Sequence, residues 1–108
     1  MPFMSYRDLT PKEAQQDLKH DPSLQILDVR TPPEHQSHHL PGAVLIPVQV
    51  LQQSLGQLDV NANWLVYCEH GMRSLAACDI LAAAGFKKLA NLRGGIAQWQ
   101  SEGLPLQR

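Results

Sequence analysis

A cysteine that directly follows an apolar run opens a short loop in this chain. The run Trp64–Tyr67 leads into Cys68, and four residues separate Cys68 from Arg73. A thiolate is a strong nucleophile, but a free cysteine with a pKa of about 8.5 is mostly protonated at neutral pH. A helix N-terminus and a tight loop both present backbone N–H groups that stabilise an anion. The position of Cys68 therefore predicts an activated, nucleophilic thiol.

The residues after Cys68 are the candidates for binding a substrate. Gly71 suits a backbone that must curl around an anion, because glycine adopts positive φ without strain. The Arg73 guanidinium either binds an oxyanion of the substrate or forms an ion pair that braces the loop. We expect the His70 side chain to face solvent while its backbone N–H takes part. The candidate loop comprises Glu69, His70, Gly71, Met72, Arg73 and Ser74.

The second cysteine, Cys78, is predicted to be a small core residue, and a resolving thiol is the less favoured alternative. It lies among apolar residues in the middle of a predicted helix, where a cysteine usually acts as a small core residue. A disulfide to Cys68 would require Cα atoms within about 7 Å, and the rise of the helix separates the two residues by more than that. We therefore expect both thiols to be free.

The composition is that of one small globular domain spanning residues 1–108. The formal net charge is -1, which gives no support to binding of nucleic acid or of an acidic membrane surface. No apolar run is long enough to cross a bilayer, and the segment MPFMSYRDLT lacks the apolar stretch of a signal peptide. These features predict a cytoplasmic protein.

The elements that must position Cys68 alternate between strands and helices. Thr10, Pro11 and Glu13 form the start of a helix with a capping box. The segment TPPEHQSHHLPG is rich in proline and polar residues and predicts a loop. Alternation of this kind is typical of an α/β fold with a mostly parallel sheet, in which sites form at the carboxyl ends of strands. The predicted strands are SLQILDVR, AVLIP, NWLVYC and KLANL, and the other predicted helices are VQVLQQSLGQL, RSLAACDILAAAG and GGIAQWQSEG, the last with Trp99 in the core.

Four segments resemble the single-domain rhodanese family of sulfurtransferases. CEHGMRS, which begins at Cys68, resembles the active-site loop C-x-x-G-x-R-S of that family. LDVR with the later Glu34, HHLPGA, and NLRGGIAQWQSEGLP resemble its other signatures, in the same order and spacing. The resemblance covers nearly the whole chain. It implies a single domain whose parallel sheet is flanked by helices on both faces.

The resemblance also implies a two-step reaction through a persulfide on Cys68, with neither cofactor nor metal. Cys68 takes the outer sulfur of thiosulfate or of another persulfide donor. It then passes this sulfur to cyanide in an assay, or to a thiol or a protein in the cell. Asp28, Arg30 and Glu34 are expected to support the loop. Arg30 is expected to pair with Glu34, and Arg73 with a substrate, with Asp28 or with Glu34.

Three alternatives bear on this function. Glu69 places a carboxylate in the loop that should repel a dianionic donor such as thiosulfate, which favours a module that relays sulfur between proteins. The phosphatase and arsenate-reductase relatives carry five residues between cysteine and arginine, whereas this chain has four. A zinc site formed by His35, His38 and His39 with Cys68 matches no strong zinc pattern.

Overall fold

The computed structural model describes residues 6–108, which form a five-stranded parallel sheet with helices on both faces. The order of strands in the sheet is β1-β5-β4-β2-β3, and every pairing is parallel. The strands are β1 (Arg7–Leu9), β2 (Gln25–Asp28), β3 (Val44–Leu45), β4 (Trp64–Tyr67) and β5 (Leu89–Leu92). The helices are α1 (Pro11–His20), α2 (Pro32–Ser37), α3 (Val48–Leu51, continued as a 3₁₀-helix over Gln52–Gln57), α4 (Met72–Ala83) and α5 (Gly95–Ser101). The predicted fold class is confirmed.

β4 is the central strand and separates two apolar layers. Trp64 and Val66 point into the layer covered by α3 and α4, whereas Leu65 and Tyr67 point into the layer covered by α1 and α5. All four side chains are buried, as expected for a strand covered on both faces. Trp99 of α5 is also buried, as predicted from the sequence. The residue after β4 therefore follows a strand that is buried on both faces.

The start of α1 follows the sequence prediction. The Thr10 hydroxyl accepts a hydrogen bond from the Glu13 amide, and the Glu13 carboxylate accepts one from the Thr10 amide. This reciprocal capping box satisfies two backbone donors that have no partner inside the helix.

Two elements differ from the prediction. The segment expected to be a loop contains α2, which begins after Thr31 with a second capping box, formed with Glu34. Proline at the first helical position favours such a start, because its fixed φ and missing N–H cost nothing there. The strand β1 was not predicted. It has only three residues at the edge of the sheet and carries the charged side chains of Arg7 and Asp8.

Two other predictions concern the whole chain. Within residues 6–108, no helix is long and apolar enough to cross a membrane. The prediction about a signal peptide falls in part on residues 1–5, which lie outside the described residues. That one domain spans residues 1–108 stays a prediction.

Candidate active site

The Cys68 thiol lies at the carboxyl end of β4 and receives two backbone hydrogen bonds. The Gly71 amide donates to Sγ over 3.1 Å, and the Ser74 amide donates over 3.3 Å. Ser74 belongs to the first turn of α4, where amides have no partner within the helix. Cys68 itself is only 1% exposed. Both amides are therefore placed as hydrogen-bond donors to the sulfur.

The turn that brings these amides to the sulfur requires a glycine. Gly71 is the N-cap residue of α4 and has a φ of +99°. A side chain at this position would be strained, and its Cβ would also lie 3.3 Å from the amide nitrogen of Gly94. The turn at this position thus has a backbone conformation that glycine adopts without strain and other residue types do not.

The N-terminal end of α5 holds the loop from the opposite side. The Ile96 amide donates to the Cys68 carbonyl over 2.9 Å, and the Ala97 amide donates to the Glu69 carbonyl over 3.0 Å. Gly95 has a φ of +66°, and a Cβ there would overlap both carbonyl groups. These two hydrogen bonds fix the first two residues of the loop against α5.

The Ser74 hydroxyl also contacts the sulfur and belongs to a buried polar chain. Its oxygen lies 3.4 Å from Cys68 Sγ and donates to Asn91 Oδ1 over 2.5 Å. The Asn91 amide group in turn donates to the Asp8 carboxylate over 3.0 Å. Since the hydroxyl proton is directed at Asn91, the serine oxygen accepts a hydrogen bond from the Cys68 thiol. The backbone amides, rather than the hydroxyl, are then the donors to a thiolate.

Arg73 forms an ion pair with Glu34 that joins α4 to α2. Its two terminal nitrogens donate to the two carboxylate oxygens over 2.8 and 2.9 Å. The hydrogen bonds from Arg73 lower the pKa of Glu34 to about 2, and the same bonds raise the pKa of Arg73. Of the roles considered for Arg73, the structure shows the brace to Glu34.

Arg30 does not pair with Glu34, and that prediction was wrong. It is 1% exposed and donates from Nε and Nη2 to Asp28, while Nη1 donates to Glu69 over 3.1 Å. Burial raises the pKa of Asp28, but hydrogen bonds from Arg30 and His35 outweigh burial and hold that pKa below its usual value. Glu34 is unavailable to Arg30 because its carboxylate already caps α2 and binds Arg73.

The chain matches a known protein family over most of its length. The model of the rhodanese-like domain matches residues 10–102. The chain belongs to the rhodanese-like domain family. A sulfurtransferase from Allochromatium vinosum is 33% identical over 81 residues, which cover 75% of this chain and 76% of that protein. The thiosulfate sulfurtransferase GlpE from Coxiella burnetii is 30% identical over 98 residues, 91% of each chain.

Solved structures agree with the assignment. A rhodanese-related protein from Thermoplasma volcanium superposes with a TM-score of 0.86 at 29% identity, covering 94% of this chain and 98% of that one. Some curated relatives are much longer than this rhodanese-like domain, which spans 51% of one and 25% of two others. Sulfur transfer is the class of chemistry that family membership supports.

The other predicted loop residues of this rhodanese-like domain lie at the surface. Met72 is 74% exposed, and the His70 side chain faces solvent as expected. Among the described contacts of the Cys68 sulfur, the backbone donors are Gly71 and Ser74 rather than His70.

Cys78 is fully buried, and both cysteines are free thiols. Burial raises the pKa of Cys78 to about 12, so this thiol stays protonated at neutral pH. The prediction of a small core residue is confirmed.

The histidines near the site make other contacts. The His35 ring stacks on the His39 ring at 3.8 Å, and His35 Nδ1 lies 2.9 Å from Asp28 Oδ2. In the part of the chain that the structure describes, no three His, Cys, Asp or Glu side chains are grouped to hold a metal ion.

Sequence reasoning missed Asn91 and the α5 amides as parts of the site. Asn91 is 2% exposed in a strand that is otherwise apolar, and a buried polar side chain usually has a specific partner. That pattern in KLANL was a signal that could have pointed to Asn91. The α5 amides carry no such signal, since any residue type supplies them.

Proposed function

We propose that this protein is a sulfurtransferase that carries sulfur as a persulfide on Cys68. The Cys68 thiolate attacks the outer sulfur of thiosulfate or of a persulfide donor. A bond forms between the two sulfur atoms, the bond inside the donor breaks, and sulfite or a thiolate leaves with the electron pair. The observation that carries the proposal is the pair of backbone N–H groups directed at Cys68 Sγ.

In the second step an acceptor removes the outer sulfur. Cyanide or a thiolate attacks this sulfur, the sulfur–sulfur bond breaks, and Cys68 leaves as a thiolate. The product is thiocyanate or a new persulfide. The electron pair of the broken bond stays on the Cys68 sulfur, so the step needs no cofactor. The Gly71 and Ser74 amides stabilise the negative charge that Cys68 carries before and after each step.

The remaining residues of the proposed site position the loop. The ion pair of Arg73 with Glu34 ties the start of α4 to α2. Arg30 links Asp28, at the end of β2, to Glu69 in the loop. We propose that these residues keep the amides directed at the sulfur while Cys68 does the chemistry.

A second candidate is a module that relays sulfur between proteins and has little activity on small donors. One observation favours it: both guanidinium groups near the loop already bind carboxylates. A sulfonate group would have to displace Glu34 in order to use the two N–H groups of Arg73 that bind this carboxylate. The donors and acceptors of such a module would be protein thiols.

We also propose a cytoplasmic location. Both cysteines are free, as is usual in a reducing compartment.

The test compares turnover with different donors and acceptors. Thiocyanate formation from thiosulfate and cyanide, abolished in Cys68→Ser, would support the enzyme. Transfer only from a persulfidated protein, again dependent on Cys68, would favour the relay. Hydrolysis of an aryl phosphate without sulfur transfer from any donor would contradict both.

A further inference from the structure

The groups around Cys68 leave an excess of negative charge beside the loop. Asp28, Glu34 and Glu69 contribute three carboxylates, whereas Arg30 and Arg73 contribute two guanidinium groups. Among these five groups, one negative charge is left over before the Cys68 thiolate is counted. Of the three carboxylates, only Glu69 lies in the loop itself, next to Cys68 in sequence.

The two guanidinium groups are fixed by partners from within the protein. Arg30 is buried, and its nitrogens donate to Asp28, to Glu69 and to the His38 carbonyl. Arg73 binds Glu34 through both terminal nitrogens. An incoming oxyanion could use these same N–H groups only by displacing the groups that already accept from them.

The Glu69 side chain is partly exposed to the solution. It is 29% exposed, although one of its oxygens accepts the hydrogen bond from Arg30. A donor that approaches Cys68 therefore meets the field of this carboxylate.

We propose that Glu69 is a specificity-determining residue that makes the site favour sulfur donors with one negative charge or none over dianionic donors. This inference rests on the proposed function and specifies its substrate class. Donors of the favoured class are organic thiosulfonates and persulfides, whereas thiosulfate belongs to the disfavoured class. A dianionic donor carries one more negative charge toward Glu69 than a monoanionic donor does. Near a protein surface, repulsion between two unit charges slows loading of Cys68 about five-fold or more.

Two donors differ in this charge and little else. In methanethiosulfonate, a methyl group replaces one charged oxygen of thiosulfate, and the outer sulfur is unchanged. The Cys68 thiolate attacks that sulfur in both cases and becomes a persulfide. The leaving group is methanesulfinate from one donor and sulfite from the other, and each takes the electron pair of the broken bond.

The experiment measures the second-order rate at which each donor adds sulfur to Cys68, by mass spectrometry at low ionic strength. The quantity of interest is the ratio of the methanethiosulfonate rate to the thiosulfate rate. Glu69→Gln removes the charge but keeps an oxygen that can accept from Arg30, and Glu69→Asp keeps the charge. Asp79→Asn is the matched control, because Asp79 is exposed on α4 and its loss changes the net charge equally.

We expect Glu69→Gln to lower this ratio about five-fold, mainly through faster loading from thiosulfate. Glu69→Asp and Asp79→Asn should keep the ratio of the unmodified protein. In the unmodified protein, added salt should lower the ratio toward the value measured for Glu69→Gln, because salt screens the charge of the Glu69 carboxylate.

An unchanged ratio in Glu69→Gln, with Cys68 loaded by both donors, would overturn this inference and leave the proposed function intact. An equal fall in Asp79→Asn would also overturn it, because net charge alone would then explain the effect. If neither these donors nor a persulfide loads Cys68, the proposed function fails and the inference fails with it.

Discussion

Replacing Gly95 with alanine should release the active loop from α5. Gly95 has a φ of +66°, and a Cβ there would overlap the carbonyl groups of Cys68 and Glu69. The new Cβ and these carbonyl groups cannot occupy the same space, so the start of α5 must move away from the loop. That movement breaks the hydrogen bonds from the Ile96 and Ala97 amides.

The loss of stability in Gly95→Ala has two sources, the left-handed backbone conformation and the broken hydrogen bonds. A left-handed conformation costs a residue with a side chain about 1–2 kcal/mol. Each backbone hydrogen bond contributes about 0.5–1.5 kcal/mol. Gly95→Ala should therefore lower the free energy of unfolding by about 2–5 kcal/mol. Loading of sulfur onto Cys68 should also slow about ten-fold or more, because one charge-assisted hydrogen bond to the thiolate is worth at least that factor.

Gly103→Ala is the matched control. Gly103 has a φ of +74°, but a Cβ at this position would meet nothing within 4 Å. This variant should lose only the conformational term, about 1–2 kcal/mol, and should load sulfur at the normal rate. Urea denaturation gives the free energies, and mass spectrometry of the intact protein gives the loading rates.

Two results would refute the reasoning. If Gly95→Ala and Gly103→Ala destabilise the protein equally, the contact between α5 and the loop contributes nothing to stability. If Gly95→Ala loads Cys68 at the normal rate, the α5 contacts do not position the amides that face the sulfur.

Three further predictions concern ionisable and polar side chains. Because Arg73 lowers the pKa of Glu34 from 4.5 to about 2, the stabilisation from their ion pair is present above pH 4.5 and is lost as the pH falls toward 2. Urea denaturation of Glu34→Gln should therefore show less destabilisation by acid than the unmodified protein, and an equal acid dependence would contradict this. Since the pKa of Cys78 is raised to about 12, native Cys68→Ser should not react with iodoacetamide near neutral pH, whereas the unfolded variant should react. Rapid labelling of the native variant would show that Cys78 is accessible. Ser74→Ala leaves a buried partner unsatisfied and should cost about 1–3 kcal/mol in urea denaturation. It keeps the backbone amide that faces the sulfur, so sulfur loading measured by mass spectrometry should fall less than in Gly95→Ala, and a larger fall would show that the hydroxyl is the main donor.

The parts of the site that follow from local sequence could be predicted. The apolar run before Cys68, the glycine three residues later and the helix that follows are all sequence-local features. They specify a thiol at the junction of a strand and a helix, which the structure shows between β4 and α4. The capping box of Thr10 and Glu13 is local in the same sense. Thr31 and Glu34 carry the same signal, but the two prolines between them favoured a loop prediction.

The partners of the charged residues could not be predicted, because they depend on tertiary structure. Arg30 pairs with Glu69, and Arg73 pairs with Glu34, in each case 39 residues apart. Their pairing depends on β2 and β4 being neighbours in the sheet, which places the residues after both strands at one edge. Sequence spacing favoured Glu34 for Arg30, only four residues away, and that proximity was misleading.

The polar chain behind the sulfur illustrates the same limit. Asn91 and Asp8 are 83 residues apart and meet because β5 pairs with β1. Since β1 has only three residues and lies at the edge of the sheet, nothing in its local sequence indicates this partner.

The most direct test of the central claim is the intact mass of the protein after incubation with a persulfide or thiosulfonate donor. The account predicts the addition of one sulfur atom to the unmodified protein and to Cys78→Ser, and none to Cys68→Ser. It also predicts that cyanide or a thiol removes this sulfur. If no sulfur is added while Cys68 still reacts with iodoacetamide, or if sulfur is added without Cys68, the persulfide mechanism proposed for this site is wrong.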